Sequence, residues 1–583
     1  MHPELIDINR TVLLLGVNSK ITQSNLALAY LKAVAAVEAP DWKIKILEIS
    51  INQAYEEILS TLMDEEYAVI GISCYIWNID LVRKLSEDIR ILRPHTQLVL
   101  GGHEVSHDPM VYLDEDICDF VITGEGEFKF AALLNALSRK EFEPNHLVDT
   151  WFPGKNKKAS TSKSVDIDPL DSIPSPFEIE DDWLDSKSFT YYESSRGCVY
   201  KCHFCLSALD RGSRFFSMNR FYSDMSTILA KKNIRQVKFV DRTFNLNEKR
   251  SNQIFEFLLE HGVGRNFHFE VQAELFKPST LKILEQAPEG MFQFEVGIQS
   301  TNQQVLDQNG RKCKLEKLFK NVRQLRRKTK VHLHLDLIAG LADETPQQFI
   351  NSFNRVILER PHHLQIEVIK LLKGSIARKL APLNGMRFQK SPPYTLLKSR
   401  EWSYEDLAQV QRVSSILEIY YNRDKIRACL DNALESSKNP YKFFLELADF
   451  VAQKHPSRTG IPLRKAFDFL YDFMDKRGPL ETAFLKSFSL DFLREFPFNG
   501  KLPFPKVSQT LPRQQYLEIA RKLNLNTKGF IEIFQEQKEP LLIYFPGKAQ
   551  RGSLPLKDFL EPQNYELCLN MIQTSTQVPV GDA

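Results

Sequence analysis

Short apolar runs alternate with helical patterns along the first 140 residues of this 583-residue chain. Five runs are typical of buried strands: TVLLLGV (11–17), KIKILEI (43–49), YAVIGIS (67–73), TQLVLGG (96–102) and CDFVITG (118–124). Segments such as SNLALAYLKAVAAVE lie between them and have helical periodicity. Strands that alternate with helices pair in parallel, because each helix carries the chain back across the sheet. The pattern therefore predicts an α/β domain with a doubly wound parallel sheet over residues 1–150.

Small residues end several of these strands, at Gly16, Ser73, Gly101–Gly102 and Gly124–Glu127. In open α/β sheets, ligands bind at the carboxyl ends of the strands, where small residues let the backbone approach the ligand. Any one of these glycines could instead simply turn the chain. Four such strand ends in one domain indicate a ligand site at this edge of the sheet.

A second α/β region follows a stretch rich in Pro, Ser and Lys, residues 151–185, which is typical of a linker. Six further runs are predicted strands, with helices between them: residues 189–197, 236–244, 267–273, 291–300, 331–340 and 363–372. Six βα units are too few for a closed eight-stranded barrel. The pattern predicts a partial, open (β/α)6 barrel over residues 186–378.

The character of the chain changes at about residue 379, where it becomes helical, aromatic and basic. Residues 420–435 and 441–454 are amphipathic segments with helical spacing. We therefore expect a mainly α-helical C-terminal domain over residues 379–583.

Composition excludes several functional classes. The 76 basic and 74 acidic side chains leave a formal charge of +2, so no general field attracts nucleic acid. No apolar run approaches the roughly 18–20 residues that span a bilayer, and eight cysteines, five of them scattered singly, do not form a secreted disulfide scaffold. Dinucleotide, P-loop and hydrolase motifs are absent. We expect a cytoplasmic protein, with neither a membrane nor nucleic acid as partner.

Three cysteines stand close together in ESSRGCVYKCHFCLSA (193–208), namely Cys198, Cys202 and Cys205, on a loop opened by Gly197. Thiolates are soft ligands that select iron–sulfur clusters, zinc or copper(I). A structural zinc site takes four protein ligands, and no second cysteine pair supplies the fourth here. Three thiolates suit a 4Fe-4S cluster with one iron open to a substrate or cofactor. A zinc site or a purely structural role is the alternative.

The stretch RGCVYKCHFC closely resembles the signature of radical S-adenosylmethionine (SAM) enzymes, including the aromatic Phe204 before the last cysteine. The resemblance extends over roughly residues 189–372. It implies that the open iron chelates SAM and that one electron cleaves SAM to a 5′-deoxyadenosyl radical.

Three further motifs carry the resemblance: FVDRTF as the second-strand motif, EVGIQS as the ribose-contacting strand, and HLDLIAGLADET as the strand beside the adenine. The SAM-binding residues that it implies are Phe204, Asp241, Glu295, Gln299, Ser300, Ile338 and Gly340. Related members often have a second Asp where Arg242 stands, which puts that contact in doubt. Ordinary barrel packing is the alternative for these polar residues.

A Rossmann-like domain ahead of such a core resembles the cobalamin-dependent class of the family. Many cobalamin proteins supply a histidine to cobalt from a D-x-H-x-x-G motif, but the equivalent stretch NSKITQ (18–23) has neither Asp nor His. Either cobalamin binds without a protein histidine, or the domain has lost it. The cobalamin contacts implied are Ser73, Tyr75, Trp77, Gly101, Gly102, Gly124, Glu125 and Gly126. His103 and His107 are weaker candidates, since histidines on such loops are more often surface residues.

The domain order, with SPPYTLLKSREWSYEDL and EIYYNRD in the tail, resembles a group of cobalamin-type radical SAM proteins with a C-terminal domain of unknown role. The resemblance implies cobalamin-dependent C-methylation of an unactivated carbon. Radical cyclisation or rearrangement without methyl transfer, and a non-catalytic iron–sulfur sensor, are the alternatives. We expect a small-molecule or peptide substrate and an electron donor such as flavodoxin or ferredoxin.

Overall fold

The computed structural model describes most of the chain. Its described residues are 10–20, 22–139, 147–152, 166–179, 183–210, 212–435, 437–457, 460–496, 508–510, 513–522, 530–534, 541–544 and 552–555. Much of the expected linker, residues 153–165 and 180–182, lies outside this part, as do residues 556–583 of the expected C-terminal domain. The described residues form two compact units, one of residues up to 361 with 366–407, the other of 362–365 with residues from 408 onward.

A six-stranded sheet forms the N-terminal part of the first unit. Its strands are β1 (Thr11–Asn18), β2 (Lys43–Ser50), β3 (Val69–Ser73), β4 (Gln97–Gly101), β5 (Phe120–Ile122) and β6 (Thr150–Trp151). Its helices are α1 (Leu26–Glu38), α2 (Tyr55–Met63), α3 (Ile79–Leu92), α4 (Pro109–Asp114) and α5 (Glu127–Arg139). The strand order is β2-β1-β3-β4-β5-β6, parallel except for β6. The doubly wound parallel sheet predicted from the sequence is confirmed.

Burial explains the apolar character of these strands. All eight residues of β1 are buried, because helices cover both faces of the central strand. The helix α3 turns one apolar face to the sheet, with Val82, Leu85 and Ile89 fully buried. The strand order reverses direction between β1 and β3, and the carboxyl ends of strands at such a switch point frame a crevice for ligands.

The second sheet of this region is the predicted partial barrel. Its strands are β7 (Phe189–Tyr192), β10 (Gln236–Phe239), β11 (Asn266–Glu270), β12 (Phe292–Gln299), β13 (His332–Ala339) and β14 (His363–Val368), and they lie in the order β14-β13-β12-β11-β10-β7. The strand pairs from β7 to β13 are parallel. A small antiparallel hairpin, β8 (Ser195–Arg196) with β9 (Arg214–Phe215), follows β7. The six predicted strands of the open barrel are confirmed.

Helices alternate with the barrel strands, and short elements follow them. The helices are α6 (Met218–Ala230), α7 (Glu248–His261), α8 (Pro278–Leu284), α9 (Gln303–Gln308), α10 (Leu315–Lys328) and α11 (Pro346–Ile357). After β14 come α12 (Ile376–Leu380), β15 (Arg387–Phe388) and β16 (Leu396–Lys398).

The two faces of β12 show how the barrel separates its core from its cavity. Phe292, Phe294, Val296 and Ile298 are fully buried under the helices, whereas the alternate residues are partly accessible. Side chains on a strand point to opposite faces in turn. The polar residues of β12, including Glu295 and Gln299, are therefore directed to the inside of the barrel.

The second unit is mainly helical, as predicted. It contains α13 (Tyr404–Tyr420) from residue 408 onward, α14 (Arg427–Glu435), α15 (Pro440–Lys454), α16 (Leu463–Arg477), α17 (Thr482–Glu495) and α18 (Arg513–Lys522). A four-stranded antiparallel sheet, which the sequence did not predict, consists of β17 (Ser508–Thr510), β18 (Phe530–Phe534), β19 (Leu541–Tyr544) and β20 (Gly552–Pro555). Among the described residues, no helix is long and apolar enough to cross a bilayer.

Candidate active site

A cavity that is partly open to solvent is lined by the cysteine loop and by residues of the barrel. Its lining residues are Cys198, Tyr200, Cys202, Phe204, Cys205, Ser207, Ala208, Arg242, Thr243, Glu270, Val271, Gln272, Glu295, Gly297, Gln299, Arg311 and Asp336. The structure thus brings all three predicted cysteines together with Phe204, Glu295 and Gln299.

The cysteine loop, residues 197–213, joins β8 to β9. Gly197 has φ of +86°, and a Cβ at this position would overlap the carbonyl oxygen of Gly212. Both facts restrict position 197 to glycine, since the carbonyl belongs to the backbone and cannot rotate away. On its other side the loop is held by the barrel, because the His203 N–H donates to the carbonyl of Asn309 at 2.9 Å.

The sulfur atoms lie among polar groups of the barrel. Cys198 Sγ is 3.6 Å from the hydroxyl of Thr243, and a guanidinium nitrogen of Arg311 is 3.9 Å from Cys202 Sγ. Burial raises the pKa of the Cys202 thiol, and the charge of Arg311 offsets part of this rise. The environment therefore contains groups that stabilise thiolate charge once a metal is bound.

The donor set fits a 4Fe-4S cluster. Cys198, Cys202 and Cys205 line one cavity, and three thiolates would each hold one iron and leave the fourth iron open. Among the described residues, no group of three His, Cys, Asp or Glu side chains is arranged to hold a single metal ion. His203 is not among the residues that line the cavity, and its ring lies against Gly310.

Two carboxylates of the cavity are paired with histidines: Glu295 with His268 on the neighbouring strand β11, and Asp336 with His334 on its own strand β13. Glu295 lies 3.1 Å from His268 and 3.6 Å from Lys238. Burial raises the pKa of Glu295, but His268 and Lys238 outweigh it and lower the pKa to about 2. Asp336 lies 3.1 Å from His334, and burial together with Glu295 raises the pKa of Asp336 to about 6. Glu295 is therefore anionic throughout the physiological pH range, whereas Asp336 gains a proton as the pH falls below about 6.

A second charged pair involves the arginine that replaces an expected aspartate. Burial raises the pKa of Glu270 to about 7, and the charge of Arg242 limits the rise. Burial lowers the pKa of Arg242, but Glu270, Cys205 and Asp210 together raise it above its ordinary value. Arg242 lines the cavity and brings a permanent positive charge to it.

Gln299 ends β12 in an unusual conformation. Its φ is +68°, and the register between β12 and β13 shifts at this point. Its amide group lies over Gly297, and the amide oxygen is buried without a hydrogen-bond partner among the described residues. Buried acceptors are rarely left unsatisfied, so this oxygen is suited to accept a hydrogen bond from a ligand.

Asp241 and Ser300, both predicted to contact SAM, do not line the cavity. Asp241 accepts hydrogen bonds from the Ser194 N–H at 3.0 Å, the Ser194 hydroxyl at 2.6 Å and the Ser195 hydroxyl at 2.5 Å. It therefore fixes the chain between β7 and β8. Ser300 is fully buried and donates to Glu344 at 2.6 Å. Both positions are filled by protein contacts.

Ile338 and Gly340, the predicted adenine contacts, are also outside the lining residues. Ile338 is half-buried on β13. Gly340 is covered by the segment around β16, because a Cβ at this position would meet a methyl group of Leu396 at 2.6 Å. Leu396, which is distant from Gly340 in the sequence, thus occupies the space beside this glycine.

Several lining residues were not predicted from the sequence: Tyr200, Thr243, Glu270, Gln272, Arg311 and Asp336. The alternation of β11 and β13 could have identified Glu270 and Asp336, since both stand on the inward face with Glu295. Arg311 has no local signal, because it lies beyond α9 and reaches back to Gln272 at 3.0 Å.

The predicted cobalamin contacts lie at the carboxyl edge of the N-terminal sheet. Tyr75 and Trp77 stack with ring centroids 4.4 Å apart, and half of Trp77 is exposed. Burial raises the pKa of Tyr75 to about 12, and Arg242 is close enough to act on it in the opposite direction. The aromatic pair therefore stands beside the barrel cavity.

Small residues leave room at this edge. At Gly101 an added Cβ would meet only the carbonyl of Ile122, at 3.8 Å, whereas Gly102 has φ of +113° and lies directly on the carbonyl of Cys74. Ser73 accepts a hydrogen bond from Asn25, the residue that caps α1, at 3.0 Å. The flat aromatic pair and the open strand ends fit a large planar ring.

The histidines of the next loop are neutral at physiological pH. Burial, Arg242 and His107 lower the pKa of His103 to about 4, and burial also lowers the pKa of His107. The ring of His107 packs on the backbone of Gly374. His107 is therefore used in packing between the N-terminal sheet and the chain after β14.

Glu125, predicted to contact cobalamin, is bound elsewhere. Its carboxylate accepts hydrogen bonds from Arg214 at 2.6 and 3.2 Å and from the Ile167 N–H at 2.5 Å. These contacts, with Arg196 at 3.6 Å, lower the pKa of Glu125 against the opposing effect of burial. The flanking Gly124 and Gly126 lie at the edge of the sheet. The carboxylate of Glu125 instead binds Arg214, which lies at the end of the cysteine loop.

Comparison with protein families divides the chain into three parts. Residues 12–134 match the B12 binding domain, residues 192–356 match the Radical SAM superfamily, and residues 384–539 match a protein family of unknown function, DUF4080. The predicted cobalamin-type domain, radical SAM core and uncharacterised C-terminal region are thereby confirmed.

Curated relatives cover slightly more than half of the chain. An uncharacterized methyltransferase, PH0819, from Pyrococcus horikoshii is 25% identical over 334 residues, which are 55% of this chain and 71% of the relative. The cobalamin-dependent radical SAM methyltransferase TokK from Streptomyces tokunonensis is 24% identical over 340 residues, 54% of this chain. The chain spans about half, 48%, of the length of TokK.

Solved structures share the fold over a larger part. The cobalamin-dependent SAM radical enzyme OxsB, with aqua-cobalamin and SAM bound, has a TM-score of 0.55 at 14% identity and covers 84% of each chain. The radical SAM methyltransferase TsrM from Kitasatospora setae, with cobalamin and a 4Fe-4S cluster bound, has a TM-score of 0.53 at 14% identity, over 67% of this chain and 82% of its own.

Proposed function

We propose that this chain, which matches both the B12 binding domain and the Radical SAM superfamily, is a cobalamin-dependent methyltransferase. The proposed reaction is C-methylation of an unactivated carbon in a small molecule or peptide. One observation carries the proposal: the three cysteines line a single cavity with inward-facing polar residues of the barrel. The names of the relatives, all methyltransferases, favour methyl transfer over ring closure.

When bound, the cluster would supply the electron that cleaves SAM to a 5′-deoxyadenosyl radical, and cobalamin would carry the methyl group. Cys198, Cys202 and Cys205 are the residues that would hold the cluster. The positive charge of Arg311 beside Cys202 offsets the negative charge of the thiolates. Phe204 and Tyr200 line the same cavity and contribute aromatic surface to it.

The polar residues of β12 are suited to hold SAM. Glu295 is anionic and accepts hydrogen bonds, as a ribose or an ammonium group requires. The amide oxygen of Gln299 offers a buried acceptor close by. Binding from several fixed side chains orients SAM, which limits the number of ways in which its sulfonium can approach the cluster.

Cobalamin binding without a protein histidine is consistent with the loop after β1. In place of a histidine it presents Gln23, which donates to the Tyr191 hydroxyl at 3.4 Å, and Ser24, which bonds to the Thr190 hydroxyl at 3.1 Å. The loop is thus occupied in contacts with β7 of the barrel. Tyr75 and Trp77 are then the residues that would pack against the face of the corrin.

The testing experiment is anaerobic production of the full chain with added hydroxocobalamin, followed by corrinoid and iron analysis and an assay for 5′-deoxyadenosine. We expect about one corrinoid and about four irons per chain, with 5′-deoxyadenosine released from SAM after reduction. Cys202→Ala should lose the iron and the product. Cys313→Ala is the matched control, because this cysteine is also buried but does not line the cavity.

Each outcome decides between the alternatives. Iron and 5′-deoxyadenosine without corrinoid would remove methyl transfer and favour rearrangement or cyclisation. Iron that supports no cleavage of SAM would favour a sensor. Iron retained in Cys202→Ala would contradict the cluster assignment.

A further inference from the structure

The base of the cysteine loop is a pair of arginines. In the hairpin of β8 and β9, Ser195 pairs with Phe215 and Arg196 pairs with Arg214. All three cysteines lie in the 17 residues between these arginines, so the hairpin sets where the loop begins and ends. Anything that holds both arginines therefore holds the loop.

Both arginines are bound by one short segment of the N-terminal domain, the turn Gly124–Glu127 that leads from β5 into the first residue of α5. Glu127 lies 2.5 Å from Arg196, and Glu125 lies 2.6 Å from Arg214. Glu193, the residue after β7, completes the set at 2.9 Å from Arg196. Glu127 thus binds the arginine of β8, and Glu125, from the same turn, binds the arginine of β9.

These ion pairs are shielded from water. The Arg196 and Glu127 side chains are 11% and 8% exposed, and the guanidinium of Arg196 lies 5.3 Å from the ring centroid of Tyr30 on α1. Removing one partner of a buried ion pair leaves an uncompensated charge, which is far more costly than the loss of a surface pair. The position of the hairpin is therefore tied to the position of the turn.

The turn also belongs to the candidate cobalamin site. It follows β5, and its glycines stand at the same carboxyl edge of the sheet as Ser73 and Gly101. The turn thus stands at the edge of the candidate cobalamin site, while its two carboxylates, Glu125 and Glu127, bind the base of the cysteine loop.

We propose that the Gly124–Glu127 turn positions the cysteine loop and thereby links occupation of the cobalamin site to occupation of the cluster site. The inference rests on the proposed function, because it requires both cofactors to bind. Linkage is reciprocal: a cluster that fixes the loop and the turn strengthens corrinoid binding by the same factor as the corrinoid strengthens the cluster.

The test compares two buried ion pairs between the same domains. Glu127→Gln breaks the pair with Arg196 at the loop base. The matched control is Glu48→Gln, since Glu48 pairs with Lys187 at 2.8 Å, both side chains are 9% exposed, and Lys187 lies before β7, outside the hairpin. Both variants keep the size of the side chain and remove one charge.

The measurement is the dissociation constant of hydroxocobalamin for the full chain, before and after anaerobic reconstitution of the cluster. In the wild type and in Glu48→Gln, we expect the cluster to tighten corrinoid binding about fivefold or more. In Glu127→Gln this difference should disappear, and the electron paramagnetic resonance signal of the reduced cluster should broaden. Glu127→Asp, which keeps the charge, should restore part of the difference and serves as the test if Glu127→Gln does not fold.

Equal corrinoid affinity with and without the cluster in the wild type would overturn the inference. An equal loss of linkage in Glu48→Gln and Glu127→Gln would do the same, because it would assign the effect to domain contact in general. A wild type that binds neither corrinoid nor iron would refute the proposed function itself, which separates the two failures.

Discussion

The guanidinium of Arg311 lies 3.9 Å from the sulfur of Cys202, and it is anchored by the side chain of Gln272 and the carbonyl of Gly297. A cation fixed in this way favours the more negative state of any cluster that Cys202 holds. The residue therefore acts on the electron affinity of the site without being a ligand.

Replacing Arg311 should lower the reduction potential of the cluster. For Arg311→Met we expect a shift on the order of 50 mV to more negative values, because a charge-assisted contact to one thiolate is lost. Potentiometric titration followed by electron paramagnetic resonance measures it. Arg323→Met, which removes an exposed arginine paired with Glu359, should leave the potential unchanged. An unchanged potential in Arg311→Met would contradict the assigned role.

Gly197→Ala should prevent assembly of the cluster. The new Cβ would overlap the Gly212 carbonyl, so the loop base must move and the cysteines with it. We expect iron per chain to fall at least severalfold, with the circular dichroism spectrum retained. Gly264→Ala separates steric overlap from backbone strain, because Gly264 has φ of +84° and nothing within 4 Å of an added Cβ. This control should cost about 1 kcal/mol of stability and keep its iron.

Gln299 and its neighbour Ser300 should behave differently on substitution. Gln299→Leu removes the buried acceptor that faces the cavity, and SAM affinity should fall about tenfold, which corresponds to one hydrogen bond to a charged or polar group. Ser300→Ala should leave SAM affinity unchanged, because its hydroxyl bonds to Glu344 instead. Calorimetric titration of SAM into cluster-loaded protein measures both. A larger effect at Ser300 would restore the role that the motif implied.

Glu344 should make stability depend on pH. Its side chain is fully buried, and burial raises its pKa to about 8 against the opposing effect of the Ser300 hydroxyl. Because the unfolded carboxyl ionises near its ordinary value while the folded one stays protonated, stability falls as pH rises from about 4.5 to about 8.

The substitution Glu344→Gln tests this dependence. The amide keeps an acceptor for Ser300 but cannot ionise, so the variant should match the wild type most closely below about pH 4 and exceed it by roughly 2 kcal/mol or more at pH 8. Thermal unfolding across this range measures the difference. Parallel curves for the two proteins would show that Glu344 does not titrate with folding.

The elements of the fold were largely predictable because their signals are local. The fully buried β1 is a continuous apolar run, and the alternation FQFEVGIQ in β12 separates a phenylalanine core face from a polar interior face. The antiparallel sheet from β17 to β20 was missed, since its strands are only three to five residues long and lie in a region dominated by helical patterns.

The candidate site was only partly predictable. Six of the predicted residues line the cavity: Cys198, Cys202, Cys205, Phe204, Glu295 and Gln299. Their loop or strand directs these side chains to the inside of the barrel. Asp241 and Ser300 stand at comparable positions of their motifs, but their side chains do not line the cavity. Asp241 accepts a hydrogen bond from Ser194, and Ser300 donates one to Glu344. A motif identifies which residues come near a site, but competing partners decide which of them face the ligand.

By itself the sequence determined the periodicity of each element, the parallel pairing that follows from it and the spacing of the three thiols. These depend on neighbours within a few residues. The tertiary structure decided that Glu125 and Glu127 hold Arg214 and Arg196, that Arg311 reaches Cys202 and that Leu396 covers Gly340. Each of these contacts joins residues between 56 and 109 positions apart. No local pattern specifies such a pair, because the contact exists only after the sheets have packed and its energy depends on the water that packing removes.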